Sequence, residues 1–185
     1  MTYHENTLIV IVGLPRSGKT TWARQQLWPI VNPDAIRLAI HGERFISRAE
    51  PFVWATAKVM VRALFLAGHA TVILDATNTT RKRRDEWHSQ DWETKFKVIG
   101  TSEDRCLRRA FRESDLAITP VIERMAAQFE PLEADEQQYK PDENEMDTTL
   151  KRALHYVECY HSHWPTSGAR YVAEELRQAI KGKAT

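Results

Sequence analysis

The chain has 185 residues, 28% of them charged, and a formal net charge of +1. No apolar run approaches the roughly 20 residues of a membrane span. The amino terminus is polar, and two cysteines are too few for a disulfide framework. We therefore expect a cytoplasmic protein with no membrane contacts.

The net charge hides an asymmetry along the chain. Residues 1–129 carry about +5, residues 130–147 about −7 and residues 148–185 about +3. A basic first segment suits an enzyme that handles phosphorylated substrates. The acidic segment is interpreted as a solvated loop.

The chain opens with a strand followed by a glycine-rich loop. Residues 8–12 form a short apolar run rich in β-branched residues, which predicts a buried parallel strand. Residues 13–20 read Gly-Leu-Pro-Arg-Ser-Gly-Lys-Thr and match the phosphate-binding pattern G-x-x-x-x-G-K-[ST]. A helix is predicted from Lys19 to about Leu27, with its amino terminus toward the phosphates. Strand, loop and helix in this order predict a nucleoside triphosphate site.

The loop pattern gives each of its polar residues a role. Backbone N–H groups of such loops surround the β-phosphate, and Gly18 lets the main chain come close. Lys19 supplies a positive charge to the β- and γ-phosphates, and the Thr20 hydroxyl can bind Mg²⁺. ATP and Mg²⁺ are therefore the expected cofactors. The candidate binding residues are Gly13, Pro15, Arg16, Ser17, Gly18, Lys19, Thr20 and Thr21.

A second predicted strand, residues 28–32, leads into a helix over residues 33–40 with Asn32 as its cap. Asp34 is the candidate catalytic base, because a carboxylate near the γ-phosphate can accept the proton of an acceptor hydroxyl. Alternatively, Asp34 only caps this helix. Arg37 shares its helix face and could bind a substrate phosphate, or it is a surface or Asp-paired arginine.

The third predicted strand occupies the five residues before Asp75 and follows an amphipathic helix over residues 49–67. Asp75 could hold Mg²⁺ through a water molecule or pin Arg37. Thr77 and Asn78 could contact the acceptor's phosphate or base, although both are common turn residues. Ligands of open α/β sheets bind beyond the carboxyl ends of the strands, so these polar strand ends define the candidate site.

A basic helix is predicted over residues 80–92. It opens with four basic residues, 81–84. This run could line a groove for a nucleic-acid backbone or form a solvated helix face. The tryptophans that follow are expected to pack in the core.

A second arginine-rich helix, over residues 103–113, follows a fourth strand at 96–100. Arg108 and Arg112 share one face of this helix. They are the candidate lid arginines, because an arginine delivered by a lid stabilises charge on a transferring phosphoryl group. A solvated basic face is the alternative.

The remainder of the chain is mainly helical in its pattern. Pro120 starts a helix that runs to about Phe129, and two more helices are predicted at about 148–163 and 169–181. Three residues near the carboxyl terminus have the types of metal ligands but match no usual zinc spacing. They are Cys159, His161 and His163.

With these residues in place, the chain resembles the P-loop kinase superfamily of AAA-type ATP-binding proteins. It is most similar to the bacteriophage-type polynucleotide 5′-kinase group. The likeness covers residues 7–130 and is carried by Gly13–Thr21, by Asn32, Asp34 and Arg37, by Asp75, Thr77 and Asn78, and by the lid helix with Pro120–Met125. Two positions depart from the group. Arg16 stands where relatives often have glycine, and residues 112–115 (Arg-Glu-Ser-Asp) are more acidic than an expected lid.

This resemblance implies specific roles. Lys19 and Thr20 would bind ATP with Mg²⁺, and Asp34 would be the general base. Arg37 would bind the acceptor's phosphate, and Arg108 or Arg112 would act from the lid. The implied reaction transfers the γ-phosphoryl group to a hydroxyl of a nucleic acid or nucleotide, either a 5′-OH end or a hydroxymethyl base of phage DNA modification. The alternatives are a nucleoside, sugar or antibiotic kinase, and a non-kinase ATP-dependent switch.

Alternating strands and helices predict an α/β fold. We expect a P-loop NTPase-type parallel sheet of four to five strands, helices on both faces, a helical lid and a C-terminal helical extension. Residues 1–130 would form the kinase core, with the lid at about 105–129. Residues 131–185 would form the acidic loop and the extension.

Overall fold

The computed structural model describes residues 6–140 and 167–181, together with residues 154 and 157. The chain divides into two compact units, Met1–Tyr139 and Lys140–Thr185. The described strands are β1 (Thr7–Val12), β2 (Ile30–Val31), β3 (Thr71–Leu74) and β4 (Glu93–Val98). The described helices are α1 (Lys19–Arg24), α2 (Pro33–His41), α3 (Glu50–Leu66), α4 (Arg81–Asp85), α5 (Glu103–Arg112), α6 (Thr119–Ala127) and, in the second unit, α7 (Ser167–Lys181).

The first unit is built on a parallel sheet with the order β2-β3-β1-β4. Strand β1 is central: Leu8 pairs with Val72 of β3 on one side and with Thr94 of β4 on the other. Residues 8–12 of this strand are fully buried, as the apolar run predicts for a parallel strand covered on both faces. The predicted α/β fold with a parallel sheet is confirmed.

The two faces of the sheet pack against different partners. Leu8, Val10 and Val12 lie in one core cluster with the buried face of α3. That face is made of Val53, Ala57, Val61 and Phe65, spaced four residues apart, so one stripe of the helix is apolar. Ile9 and Ile11 face the other way and lie in a second cluster. Packing on both faces therefore fixes the position of β1, and with it the start of the loop that follows the strand.

Two predicted helices are at least three residues longer than the observed ones. The helix predicted over residues 80–92 ends at Asp85, because the chain turns to begin β4 at Glu93. The carbonyl oxygen of Trp87 accepts hydrogen bonds from Trp92 Nε1 (3.0 Å) and Thr94 Oγ1 (2.8 Å), which fixes this turn. Helix α1 ends at Arg24 rather than at residue 27, where the backbone is left-handed (φ 58°).

The second unit contains the helix α7, which confirms the predicted helix over 169–181. The predicted helix over 148–163 falls largely outside the described residues, and so do Cys159, His161 and His163. None of the described helices is long and apolar enough to cross a membrane.

Candidate active site

The glycine-rich loop connects β1 to α1 and is wedged between the ends of β3 and β4. Gly13 N donates a hydrogen bond to Thr77 O (2.9 Å). A Cβ at Gly13 would lie 2.9 Å from Ile99 O, so no side chain fits there. Gly18 has φ 105°, a conformation that favours glycine. Glycine at these two positions therefore lets the backbone of the loop adopt the conformation that surrounds a phosphate group.

Lys19 lies across this loop. Its Nζ donates to Leu14 O (2.7 Å), and the residue is buried. Burial lowers the pKa of Lys19 to about 8, an effect that the negative charges of Asp75 and Asp34 partly offset. Ser17 is also buried, and its Oγ has no hydrogen-bond partner among the described residues. Both side chains thus have donors that a phosphate group could satisfy.

Asp75 joins three parts of the site. Its Oδ2 accepts hydrogen bonds from Thr20 Oγ1 (2.7 Å) and Asn32 Nδ2 (2.9 Å), and it is 3% exposed. The hydroxyl and the carboxylate are oxygen donors of the kind that Mg²⁺ prefers, and a P-loop threonine with a strand-end aspartate is the pair that holds this ion in P-loop NTPases. The residues present therefore fit the metal that the loop pattern predicts.

Asp34 and Arg37 form an ion pair at the start of α2. Arg37 Nη1 lies 2.5 Å from Asp34 Oδ1, and the Asp34 side chain is 82% exposed. The side-chain cap of the helix is Asn32, which accepts from Ala35 N (2.9 Å), and Asp34 lies in the first turn of the helix. The carboxylate of Asp34 is open to solvent, and because β2 and β1 are both parallel to β3, Asp34 and Lys19 follow strands that end at the same edge of the sheet. A catalytic role for Asp34 stays a prediction.

Glu50, which sequence reasoning missed, holds Arg37 from the other side. Its carboxylate binds Arg37 in a bidentate manner, with both N–O distances 2.7 Å, and accepts from Trp54 Nε1 (3.0 Å). The hydrogen bonds from Arg37 keep the pKa of Glu50 below its usual range. Thirteen residues separate Glu50 from Arg37, so no local pattern links them.

Two of the predicted substrate ligands also serve the fold. Asn78 is buried, has φ 44°, and its Nδ2 donates to Ile11 O (2.9 Å) of the central strand. The carbonyl oxygen of Thr77 accepts the hydrogen bond from Gly13 described above. The role of both residues in acceptor binding stays a prediction.

The arginine of α5 that contacts the loop is neither of the two predicted ones. Arg109 Nη1 donates to the carbonyl oxygens of Arg16 and Ser17, both at 2.9 Å. Arg109 sits beside Cys106 and Ala110, which are the buried residues of α5. This apolar face is the sequence signal that could have identified it.

Arg108 and Arg112 lie on the outer side of α5. Arg108 pairs with Asp104 at 2.5 Å and is 67% exposed, and Arg112 is exposed at the end of the helix. Neither has a described contact with the loop. Their action from the lid stays a prediction.

Two arginines of the basic run at the start of α4 pair with the acidic segment. Arg84 Nε donates to Glu136 Oε1 (2.5 Å) and Nη2 to Oε2 (3.0 Å), and both side chains are 0% exposed. Arg81 pairs with Asp85 and Asp135, each at 2.7 Å. The predictions of a solvated helix face at Arg84 and of a solvated loop at Glu136 are therefore wrong, because the two charges satisfy each other inside the protein.

The tryptophans behind this run pack in the core, as predicted. Trp87 is 1% exposed and Trp92 is 5% exposed. Of the four basic residues, only Lys82 and Arg83 are exposed. Arg83 lies over the ring of Trp54, 5.0 Å from its centroid. A backbone-binding groove would have to rely on these two.

The fold and the loop together define a P-loop NTPase of the kinase-like type. The family model of the AAA domain (AAA_33) matches residues 8–132. The chain belongs to this family. No curated protein matched the chain.

Several solved structures are similar to the chain. One chain of the Pnkp1/Rnl/Hen1 RNA repair complex is 26% identical, with a TM-score of 0.50 over 77% of this chain and 54% of that one. Another structure of the Pnkp1/Rnl/Hen1 complex has a chain that is 33% identical, with a TM-score of 0.47 over 58% of this chain and 40% of that one. The chain spans about half of the length of these relatives or less. A gluconokinase from Sinorhizobium meliloti 1021 shares the fold, with 16% identity and a TM-score of 0.54 over 85% of this chain and 99% of that one.

Proposed function

We propose that the protein is an ATP-dependent kinase that transfers the γ-phosphoryl group to an alcohol. The observation that carries this proposal is the exposed carboxylate of Asp34, which is paired with Arg37 and follows β2 at the same carboxyl edge of the parallel sheet where Lys19 follows β1. An ATP-dependent switch has no use for a base beside the γ-phosphate. A kinase needs one to accept the proton of the attacking hydroxyl.

Each residue has a defined task in this reaction. Lys19 exchanges its bond to Leu14 O for the phosphate oxygens. Thr20 and Asp75 are the residues that would hold Mg²⁺, which would neutralise charge on the phosphates. Asp34 takes the proton of the acceptor hydroxyl. The acceptor oxygen then forms a bond to the γ-phosphorus, the bond from that phosphorus to the bridging oxygen breaks, and ADP leaves with the electron pair.

The leading acceptor class is a hydroxyl of a nucleic acid or nucleotide. The sequence likeness to the phage-type polynucleotide 5′-kinase group supports it, as does the similarity at 26% identity to a chain of an RNA repair complex. In this proposal the acceptor is a 5′-OH end or a hydroxymethyl group on a base. Arg37 would bind a phosphate of the acceptor.

One observation favours a second candidate, a kinase of a small molecule such as a nucleoside, sugar or antibiotic. Arg81, Arg83 and Arg84 are each paired with a carboxylate, which weakens most of the basic run that a long polyanion would contact. A small acceptor needs no such surface.

The deciding experiment measures γ-phosphoryl transfer from labelled ATP with Mg²⁺ to a panel of acceptors. The panel holds 5′-OH DNA and RNA oligonucleotides, hydroxymethylated-base DNA, nucleosides and sugars. Asp34→Asn keeps the shape of the side chain and removes the base, so transfer should fall by about 10²- to 10⁴-fold, while ATP binding is retained. Asp91→Asn is the matched control, because Asp91 pairs with Arg62 just before β4, at the opposite edge of the sheet.

Each outcome has a distinct meaning. Label on one acceptor class, lost in Asp34→Asn and kept in Asp91→Asn, supports both the reaction and the base. Normal transfer by Asp34→Asn contradicts the assignment of Asp34. Slow release of free phosphate that is the same in both variants, with no labelled acceptor, supports the switch instead.

A further inference from the structure

Arg16 adopts a backbone conformation that a residue with a Cβ rarely takes. Its φ is 63°, in the left-handed region that glycine occupies without strain. Arginine at this position of the phosphate loop is therefore conformationally costly. Strain of this kind is often found at functional sites, where the contacts of the side chain compensate for it.

The side chain of Arg16 joins a cluster of four charged residues, which we name the mouth cluster: Arg16, Arg44, Glu113 and Asp115. Arg16 Nη1 pairs with Glu113 and Nη2 with Asp115. Arg44 Nη1 lies 3.1 Å from Asp115 Oδ1 and 3.2 Å from Oδ2. The cluster thus connects the phosphate loop, the segment after α2 and the segment after α5.

Asp115 is the centre of this cluster. Two guanidinium groups from different loops converge on its carboxylate, and its side chain is only 13% exposed. The hydrogen bond from Arg16 holds the pKa of Asp115 below its usual range. A tight turn presents the carboxylate: Ser114 has φ 55°, and Asp115 N donates to Ala110 O (3.0 Å).

The geometry points to an anion subsite that the protein fills with its own side chain. Guanidinium groups bind carboxylates and phosphates through the same planar arrangement of donors. We propose that Arg16 and Arg44 bind a phosphate group of the nucleotide or of the acceptor, and that Asp115 occupies their site until that phosphate displaces it. A phosphate carries more negative charge than a carboxylate and has three acceptor oxygens, so it can compete.

This inference rests on the proposed function only for the source of the phosphate. The subsite itself is tested without catalysis, by titrating inorganic phosphate into protein saturated with ADP and Mg²⁺, in which ADP fills the phosphate loop. Asp115→Asn removes the competing charge, so phosphate should bind about two- to fivefold more tightly, as expected for loss of a partly exposed ion pair. Adding Arg44→Ala to Asp115→Asn should abolish this gain.

Asp91→Asn is the matched control. It removes one carboxylate whose partner is Arg62, outside the mouth cluster, and it should leave phosphate binding unchanged. Equal thermal unfolding midpoints of the variants would show that each remains folded. Phosphate binding that is the same in Asp115→Asn and wild type would overturn the proposal, as would an equal gain in Asp91→Asn.

Two further titrations distinguish the sources of the phosphate. If the γ-phosphate is the ligand, Asp115→Asn binds a non-hydrolysable ATP analogue more tightly and ADP no differently. If the acceptor supplies it, Asp115→Asn binds a 5′-OH oligonucleotide more tightly and a nucleoside no differently. Either pattern supports the subsite, and neither requires phosphoryl transfer. If the protein transfers no phosphoryl group but Asp115→Asn still binds phosphate more tightly, the kinase proposal is contradicted and the subsite proposal is supported.

Discussion

Two arginine–carboxylate pairs in the first unit have the same chemistry and opposite accessibility. Arg84 and Glu136 are both 0% exposed, whereas Arg37 is 11% and Asp34 is 82% exposed. The buried pair is complete: every charge is matched, so neither residue can be offered to a ligand. The pair on α2 leaves a carboxylate in solvent, where it can exchange partners during a reaction. Burial, more than residue type, separates the structural pair from the candidate catalytic one.

The largest expected effect lies on the catalytic side of this comparison. Lys19→Ala should lower the rate of phosphoryl transfer by about 10²- to 10³-fold, because the positive charge at the β- and γ-phosphates is lost. The free energy of unfolding should change little, since the buried lysine makes one hydrogen bond, to Leu14 O. Single-turnover transfer and chemical denaturation measure the two quantities. An unchanged rate would remove the loop from the active site.

Substitution in the buried pair should lower the stability of the protein and leave its binding of ATP unchanged. Glu136→Gln leaves the Arg84 guanidinium without its charge partner, so the free energy of unfolding should fall by about 3 kcal/mol, with KM for ATP unchanged. Asp135→Asn is the control, because Asp135 is an exposed partner of Arg81, and its loss should leave stability as it is. Urea denaturation compares the two. An equal loss of unfolding free energy in both variants would contradict the conclusion that burial distinguishes the two ion pairs.

The lowered pKa of Lys19 predicts that ATP binding depends on pH. The pKa of this residue is about 8 in the free protein, and bound phosphates raise it, so ATP binding takes up a proton above pH 8. Affinity for a non-hydrolysable ATP analogue should be constant below pH 7 and fall by up to about tenfold between pH 7 and 9. Calorimetry in buffers of different ionisation enthalpy detects the proton. A flat affinity up to pH 9 would contradict the shift.

The smallest expected effect concerns Glu50, which positions Arg37. Glu50→Gln removes the charge that holds the guanidinium in a bidentate manner, so the KM for the acceptor should rise about three- to tenfold. The KM for ATP should stay the same. Glu43→Gln removes a charge from the same connection between α2 and α3, at an exposed residue, and should change neither. A fall in kcat alone would mean that Glu50 acts through Asp34 instead.

The parts of the fold and site that sequence reasoning predicted are governed by local patterns. The buried run at residues 8–12 predicts the central strand, and the loop pattern brings Thr20 to the strand-end carboxylate of Asp75 at 2.7 Å. Asn32 is the helix cap, as its position before a proline predicts. In each case the relevant neighbours lie within a few residues or at the shared edge of a parallel sheet.

The parts that sequence reasoning missed depend on pairs far apart in the chain. Arg84 and Glu136 are 52 residues apart, and Arg109 contacts the backbone of a loop 92 residues earlier. A run of arginines looks the same in sequence whether its partners are solvent, phosphate or a distant glutamate. Only the three-dimensional structure shows which of these partners each arginine contacts.

The central position of β1 has a consequence for how the protein is made. Residues 8–12 are wholly apolar and are synthesised before their pairing partners, which lie in β3 and β4 and begin at Thr71 and Glu93. At about 5–20 residues per second, the ribosome needs several seconds to supply them. During that interval the strand most deeply buried in the finished protein has no sheet to join. Chaperone dependence during synthesis, and aggregation of chains truncated before β3, should follow from this topology.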